Sequence, residues 1–197
     1  RDDFDLGSVG AGTGALTGTL KGGLGSASLV LDSGVTVGAL VAVNPIGNVT
    51  TPGARHFWAA PFELNQEFGG LGPDPLSGLG YTITSKKPAA MSALGNTTIA
   101  IVATDATLDK AAAKRLAVAA HDGIGRATLP AHMPMDGDLV FSAATAQRKV
   151  MVDDREMALL CHAGAMCLSR AIARAVYLAT PSDGDILPCW RDLNPAL

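Results

Sequence analysis

Residues Gly95–Ala106 read GNTTIAIVATDA: a turn-forming Gly-Asn, two threonines, an apolar β-prone run, then a threonine and an aspartate. Such a run, opened by a turn signal, predicts a strand from Thr97 to Thr104, because β-branched side chains fit a pleated, half-buried surface. Successive side chains on a strand point to opposite faces, so Thr97 and Thr98 cannot both serve one site. The hydroxyl of Thr97 lies one bond system away from the carbonyl of Asn96. Attack on that carbonyl would cut the chain at Asn96–Thr97 and leave Thr97 as a new N-terminus. A free α-amine ordinarily titrates at about 7.7 to 8.0, so it can act as general base for the hydroxyl beside it near neutral pH. The plain alternative is a buried strand opened by a Gly-Asn turn.

The flanking elements predict a layered protein. Ser28–Leu31 and Thr36–Val43 read as strands joined through Asp32-Ser33-Gly34, a turn of hairpin length. Leu108–Ala120 is alanine-rich with lysines and an arginine set among apolar positions, an amphipathic helix that Gly123 and Gly125 are expected to end. Leu139–Ala144 predicts another strand. Asp154–Ala179 predicts a long core helix whose acidic start, Asp153-Asp154, suits a helix N-terminus. Thr50–Leu94, rich in Pro, Gly and Ser, and the tail after Pro181 read as loop. Strand groups followed by helices place the chain in the α/β or α+β class.

Composition narrows the function classes. With 197 residues, 48% of them hydrophobic, one domain spanning 1–197 is expected. A net charge of −3 with scattered lysines and arginines gives no electrostatic footprint for nucleic acid. Cys161, Cys167 and Cys189 are odd in number and lack CxxC spacing, which argues against a disulfide framework or a structural zinc site and makes the cytoplasm the expected location. His162, Arg170 and Arg174 interrupt the longest apolar stretch, so no membrane span is expected.

Two other patterns are weak. GAGTGA at Gly10–Ala15 matches a dinucleotide fingerprint in letters, but RDDFDLGSV before it is no buried strand. His132-x3-Asp136-x-Asp138 offers metal-ligating atoms without a further spaced His or Cys motif. Neither a cofactor nor a metal is expected.

Four motifs in one order carry a family resemblance. LGSVGAGTGALTGTLKGGLGSAS (Leu6–Ser28), VGALVAVNPIGNV (Val37–Val49), GNTTIAIVATDA and HDGIGRATLPAHMPMDGDLVFSAAT (His121–Thr145) resemble the P1-type self-processing hydrolases. These are the L-aminopeptidase/D-esterase-like proteins, a group that includes β-aminopeptidases and the nylon-oligomer hydrolase. The resemblance implies an αββα sandwich like that of N-terminal-nucleophile hydrolases. It implies self-cleavage between Asn96 and Thr97, with residues 1–96 ending a large subunit, 97–197 forming the small one, and a further segment ahead of Leu6. It assigns the nucleophile to Thr97, an active-site place to Lys21, an oxyanion donor to Asn44, and the orienting of the α-ammonium to Asp136 and Asp138. On the residues alone, Lys21 is a surface lysine in a glycine loop, Asn44 a turn residue before Pro45, and Asp136-Gly137-Asp138 a polar turn. The implied activity is hydrolysis of a small peptide or other amide by a homo-oligomer. An acyltransferase of the ornithine acetyltransferase type, or a non-catalytic assembly domain, remains the alternative. The threonine and the Asp-Gly-Asp pair are nearer the nylon-oligomer hydrolase pattern than the β-aminopeptidases, which use serine and a glutamate.

Overall fold

The computed structural model describes residues 4–76, 85–87 and 95–195. Its frame is a four-stranded sheet in the order β1 (Gly23–Val30), β2 (Thr36–Asn44), β3 (Thr97–Ala106), β4 (Leu139–Arg148), antiparallel except for the parallel pair β3–β4. The parallel pair needs a crossover, and α1 (Lys110–Ala127) supplies it. A second helix, α2 (Asp154–Tyr177), lies beside α1 on the same face of the sheet, across β1 and β2. Asp109 caps α1 through the Ala112 N–H at 2.7 Å, and Asp153 caps α2 through the Glu156 N–H at 2.8 Å, so both aspartates meet donors that a helix start leaves open.

Burial alternates along the strands as the two-residue period requires. Val37, Ala39, Val41 and Val43 of β2 face the helices, as do Thr98, Ala100 and Val102 of β3. The opposite face carries Leu40, Ile99, Ile101, Leu139 and Phe141, all substantially exposed. Leu40 pairs with Ile101 and Ile101 with Phe141, so these side chains form one continuous apolar surface. The described residues therefore make one sheet and one helical layer of α+β type, which is half of the four-layer arrangement that the resemblance implies.

Several element boundaries differ from expectation, three of them widely. The first strand begins at Gly23, not Ser28, and β4 continues to Arg148. Helix α1 does not end before Gly123 but runs through it and Gly125 to Ala127. A Cβ on Gly123 would stand 2.5 Å from the Ala165 carbonyl oxygen, so the glycine is there for the close crossing of α1 and α2, not as a helix stop. Beyond Pro181, a short helix α3 (Trp190–Leu193) replaces the expected loop; its Trp190 is fully buried.

Residues 50–76 contain a 3-10 turn, Ala60–Phe62, and an isolated Thr50–Phe57 bridge, yet they supply core: Phe57 and Phe68 meet edge-on at 5.4 Å, and Phe57 lies 5.5 Å from the Trp190 ring. Glu67 in the same stretch pairs with Arg170 and, at 3.7 Å, with the partly exposed Arg174, which lets α2 carry Arg170 into the interior. By length and composition α2 could cross a bilayer, but 72% of that window is buried inside the protein, as a core helix requires. GAGTGA falls in a 3-10 turn at Gly10–Gly12, with no strand before it among the described residues.

Candidate active site at the start of the third strand

Thr97 opens β3 opposite Asn44, the last residue of β2, and both point to the sheet face that carries Ile99 and Leu40. Thr98 points the other way and is fully buried; its hydroxyl has no hydrogen-bond partner among the described residues. The alternation expected from the sequence therefore holds, and Thr97 is the threonine with access to solvent.

The peptide ahead of Thr97 is held from several sides. The Thr97 hydroxyl donates to the Asn96 carbonyl oxygen at 2.6 Å, and the Gly137 N–H donates to the same oxygen at 2.7 Å. Asn96 bridges to Asp136 in parallel register, extending the β3–β4 pairing to the loop before β4. That loop is itself tied down. Asp136 accepts from the Ile46 N–H at 3.0 Å and the Met133 N–H at 3.3 Å, joining it to the end of β2. Burial pushes the Asp136 carboxyl up from its ordinary value, with Asp138 adding to the rise and backbone donors and Lys87 opposing it.

Asp138 grips the strand one residue past the threonine, accepting the Thr98 N–H at 3.0 Å. Its other oxygen takes the His132 N–H at 3.3 Å and faces His132 Nδ1 at 2.9 Å. His132 adopts φ +55°, a left-handed conformation that costs a non-glycine residue energy and that the surrounding bonds must sustain. The His121 ring lies 5.3 Å from that of His132, and burial, then His132, lowers its pKa.

Asn44 links the segment before β1 to the residue two ahead of β3. Its Oδ1 accepts from the Leu16 N–H at 3.0 Å, and its Nδ2 donates to the Gly95 carbonyl oxygen at 3.3 Å. The Asn44 amide N–H is thus spent on the carbonyl one residue ahead of the one in the Asn96–Thr97 bond.

Lys21 makes its side-chain bonds with a different carboxylate. Its ammonium is held by both oxygens of Asp185 at 2.7 Å, and this hydrogen bonding draws the Asp185 carboxyl down. The structure thus joins Asn44, Asn96, Thr97, Asp136 and Asp138 around one peptide bond and gives Lys21 to Asp185.

The lysine that does touch this cluster is Lys87. Its Nζ donates to Asn96 Oδ1 at 2.8 Å, Pro45 O at 3.0 Å, Asn44 Oδ1 at 3.2 Å and Asn44 O at 3.3 Å. It is almost wholly buried, and desolvation lowers its pKa from 10.5 to about 8, with the charge of Asp136 opposing the drop. Sequence reasoning passed over it because Ser85-Lys86-Lys87 has the polarity of a solvated loop and no periodicity.

Comparison with known proteins gives a consistent picture. The model of Peptidase family S58 matches residues 1–186. An uncharacterised aminopeptidase of Mycobacterium tuberculosis is 41% identical over 98% of this chain and 58% of its own length, and one of Mycobacterium leprae is 42% identical over 96% and 53%. The chain thus spans little more than half the length of these relatives. Among solved structures, the L-aminopeptidase D-Ala-esterase/amidase of Ochrobactrum anthropi, described as a variant of the Ntn hydrolase fold, matches with a TM-score of 0.63 at 25% identity, covering 95% of this chain and 50% of that one. A Burkholderia β-aminopeptidase matches with a TM-score of 0.62 at 26% identity, covering 97% and 53%.

Proposed function

The chain belongs to Peptidase family S58, and on that premise we propose that it is the cleavage-bearing part of a self-processing hydrolase of peptide or amide bonds, with Thr97 as nucleophile. The observation that carries this is the Asn96 carbonyl oxygen, held by the Gly137 N–H at 2.7 Å and by the Thr97 hydroxyl at 2.6 Å. A carbonyl with a fixed donor on its oxygen and a hydroxyl beside it is a reactant arranged for intramolecular acyl transfer.

In the uncut chain, Thr97 Oγ1 attacks the Asn96 carbonyl carbon. The hydroxyl proton passes to a flanking carboxylate, Asp136 or Asp138, and from there to the departing Thr97 nitrogen as the C–N bond breaks. An ester links Asn96 to Thr97 Oγ1. Water hydrolyses it, leaving a carboxylate on Asn96 and a free amine on Thr97. Once the tail ending at Asn96 moves away, the Asn44 amide is released from Gly95 and its N–H faces the vacated position. An amide substrate then takes that place, the α-amine accepts the hydroxyl proton, and the acyl group passes to Thr97 Oγ1 as the leaving amine departs with a proton. Water completes the cycle.

The O. anthropi enzyme is described as a prototype for serine aminopeptidases, whereas a threonine stands at the start of β3 here. Under this mechanism either hydroxyl works, because the base is the nucleophile's own amine. A small peptide or amide is the proposed substrate. The apolar outer face of the sheet is proposed to be covered by the rest of the precursor within a homo-oligomer, and light scattering showing a clean monomer of the full-length protein would remove the second part. The hydrolase reading is tested by incubating full-length protein with a small amide, with and without an amine acceptor: free acid in both arms supports a hydrolase, transfer to the amine an acyltransferase, and no turnover an assembly domain.

A further inference from the structure

We propose that Lys87 is a positioning residue for self-cleavage: its ammonium ties the Asn96 side chain to the end of β2 and so fixes the Asn96–Thr97 peptide against Gly137 and the Thr97 hydroxyl. The assignment rests on the self-cleavage proposed above. Asn96 is held through its main chain and through its side chain. Its main-chain oxygen takes the Gly137 and Thr97 donors, and its side-chain oxygen takes Lys87 Nζ at 2.8 Å. The same Nζ reaches Pro45 O, Asn44 O and Asn44 Oδ1, so the residue that would be cut is anchored to the strand end that carries the candidate oxyanion donor. Loss of that anchor removes the ammonium from the Asn96 side-chain oxygen and loosens the hold on the peptide relative to the hydroxyl, and misplacements of that kind are costly to intramolecular reactions.

The contact requires the charged lysine. An ammonium has three N–H donors and no acceptor, and all four partners here are oxygens; a neutral amine would turn a lone pair toward one of them. Burial works against the charge and lowers the Lys87 pKa to about 8, and Asp136 is the charged group that opposes the drop. The anchor is therefore in place near neutral pH and released as pH rises through that value. Lys87 exchanges no proton with Thr97. It also lies nine residues ahead of Asn96, on the side of the bond that becomes the tail, so it acts on the uncut chain.

The test follows conversion of freshly made full-length protein into two pieces by intact mass, from about pH 6 to about pH 10, for wild type, Lys87→Arg and Lys87→Met. Wild-type cleavage is expected to slow as pH rises through about 8. Lys87→Arg, charged throughout this range, keeps cleavage within a few-fold and loses the alkaline decline. Lys87→Met slows cleavage roughly tenfold or more at neutral pH. A structural role alone would leave the pH profile of Lys87→Arg unchanged, and that result overturns the proposal even if Lys87→Met fails to fold. So does a wild-type rate that climbs through pH 8 and loses the climb in Lys87→Met, which would make Lys87 a base. If wild type is cut and Lys87→Met is cut equally fast, only the role of Lys87 falls. If wild type stays whole, self-cleavage itself falls.

Discussion

The Gly137 N–H donates to the Asn96 carbonyl oxygen at 2.7 Å, and a Cβ built on Gly137 would stand 2.7 Å from Thr97 Oγ1. One residue thus supports the carbonyl and leaves the space that the hydroxyl occupies. Gly137→Ala keeps the donor but pushes the hydroxyl aside, since a Cβ and an oxygen do not approach so closely. Cleavage followed by intact mass should slow roughly 10²-fold, the scale expected from misplacing a reacting group by about an ångström. A Gly137→Ala protein cut at the wild-type rate would show that the Thr97 rotamer seen here is not the reactive one.

Thr98 gives a prediction of the opposite kind. Its hydroxyl is buried without a partner among the described residues, a cost of about 1 to 3 kcal/mol that an apolar group of the same shape avoids. Thr98→Val should therefore melt at the wild-type temperature or above it and still be cut. A clear loss of thermal stability would mean that the hydroxyl finds a partner in the full-length protein.

How much of this was legible in the sequence depended on how local the cause was. Asp153 caps its helix through a bond to the residue three positions on, and the alternation of Thr97 and Thr98 follows from strand geometry, so these features could be read without tertiary structure, whereas Asp109, also a local cap, was read as lying inside a helix from Leu108. Gly123 was misread because its reason lies 42 positions away, in the carbonyl of Ala165 against which α1 packs. Lys87 was invisible for a similar cause. Its partners sit at Asn44, Pro45 and Asn96, and only the antiparallel pairing of β2 with β3 brings those strand ends together. Lys21 was tied to the site by resemblance alone, and its ammonium sits on Asp185.

Asn44→Ala should lower amide turnover by roughly 10²- to 10³-fold, the usual effect of losing one oxyanion donor. The substitution also removes the acceptor of the Leu16 N–H, so stability should fall by about 1 kcal/mol, which thermal unfolding can separate from the rate effect. Unchanged turnover would leave Asn44 a strand-end residue only.

In the proposed mechanism with Asp136 as the proton acceptor, Asp136 sets the acid side of the profile. As a proton acceptor it must be ionised, and burial raises its pKa above the ordinary carboxylate value, so cleavage should decline on acidification at a higher pH than an exposed aspartate would give. Asp136→Asn should slow cleavage and remove that acid limb. A variant with the same limb would pass the role to Asp138.

The most direct test is the intact mass of freshly purified full-length wild type beside Thr97→Ala and Thr98→Ala. Wild type and Thr98→Ala should each give two pieces, the smaller beginning Thr-Thr-Ile in wild type and Thr-Ala-Ile in the variant, while Thr97→Ala stays whole and inactive. A wild-type protein that remains one chain and still hydrolyses amides at full rate would contradict the mechanism, because an internal Thr97 has no α-amine to serve as its base.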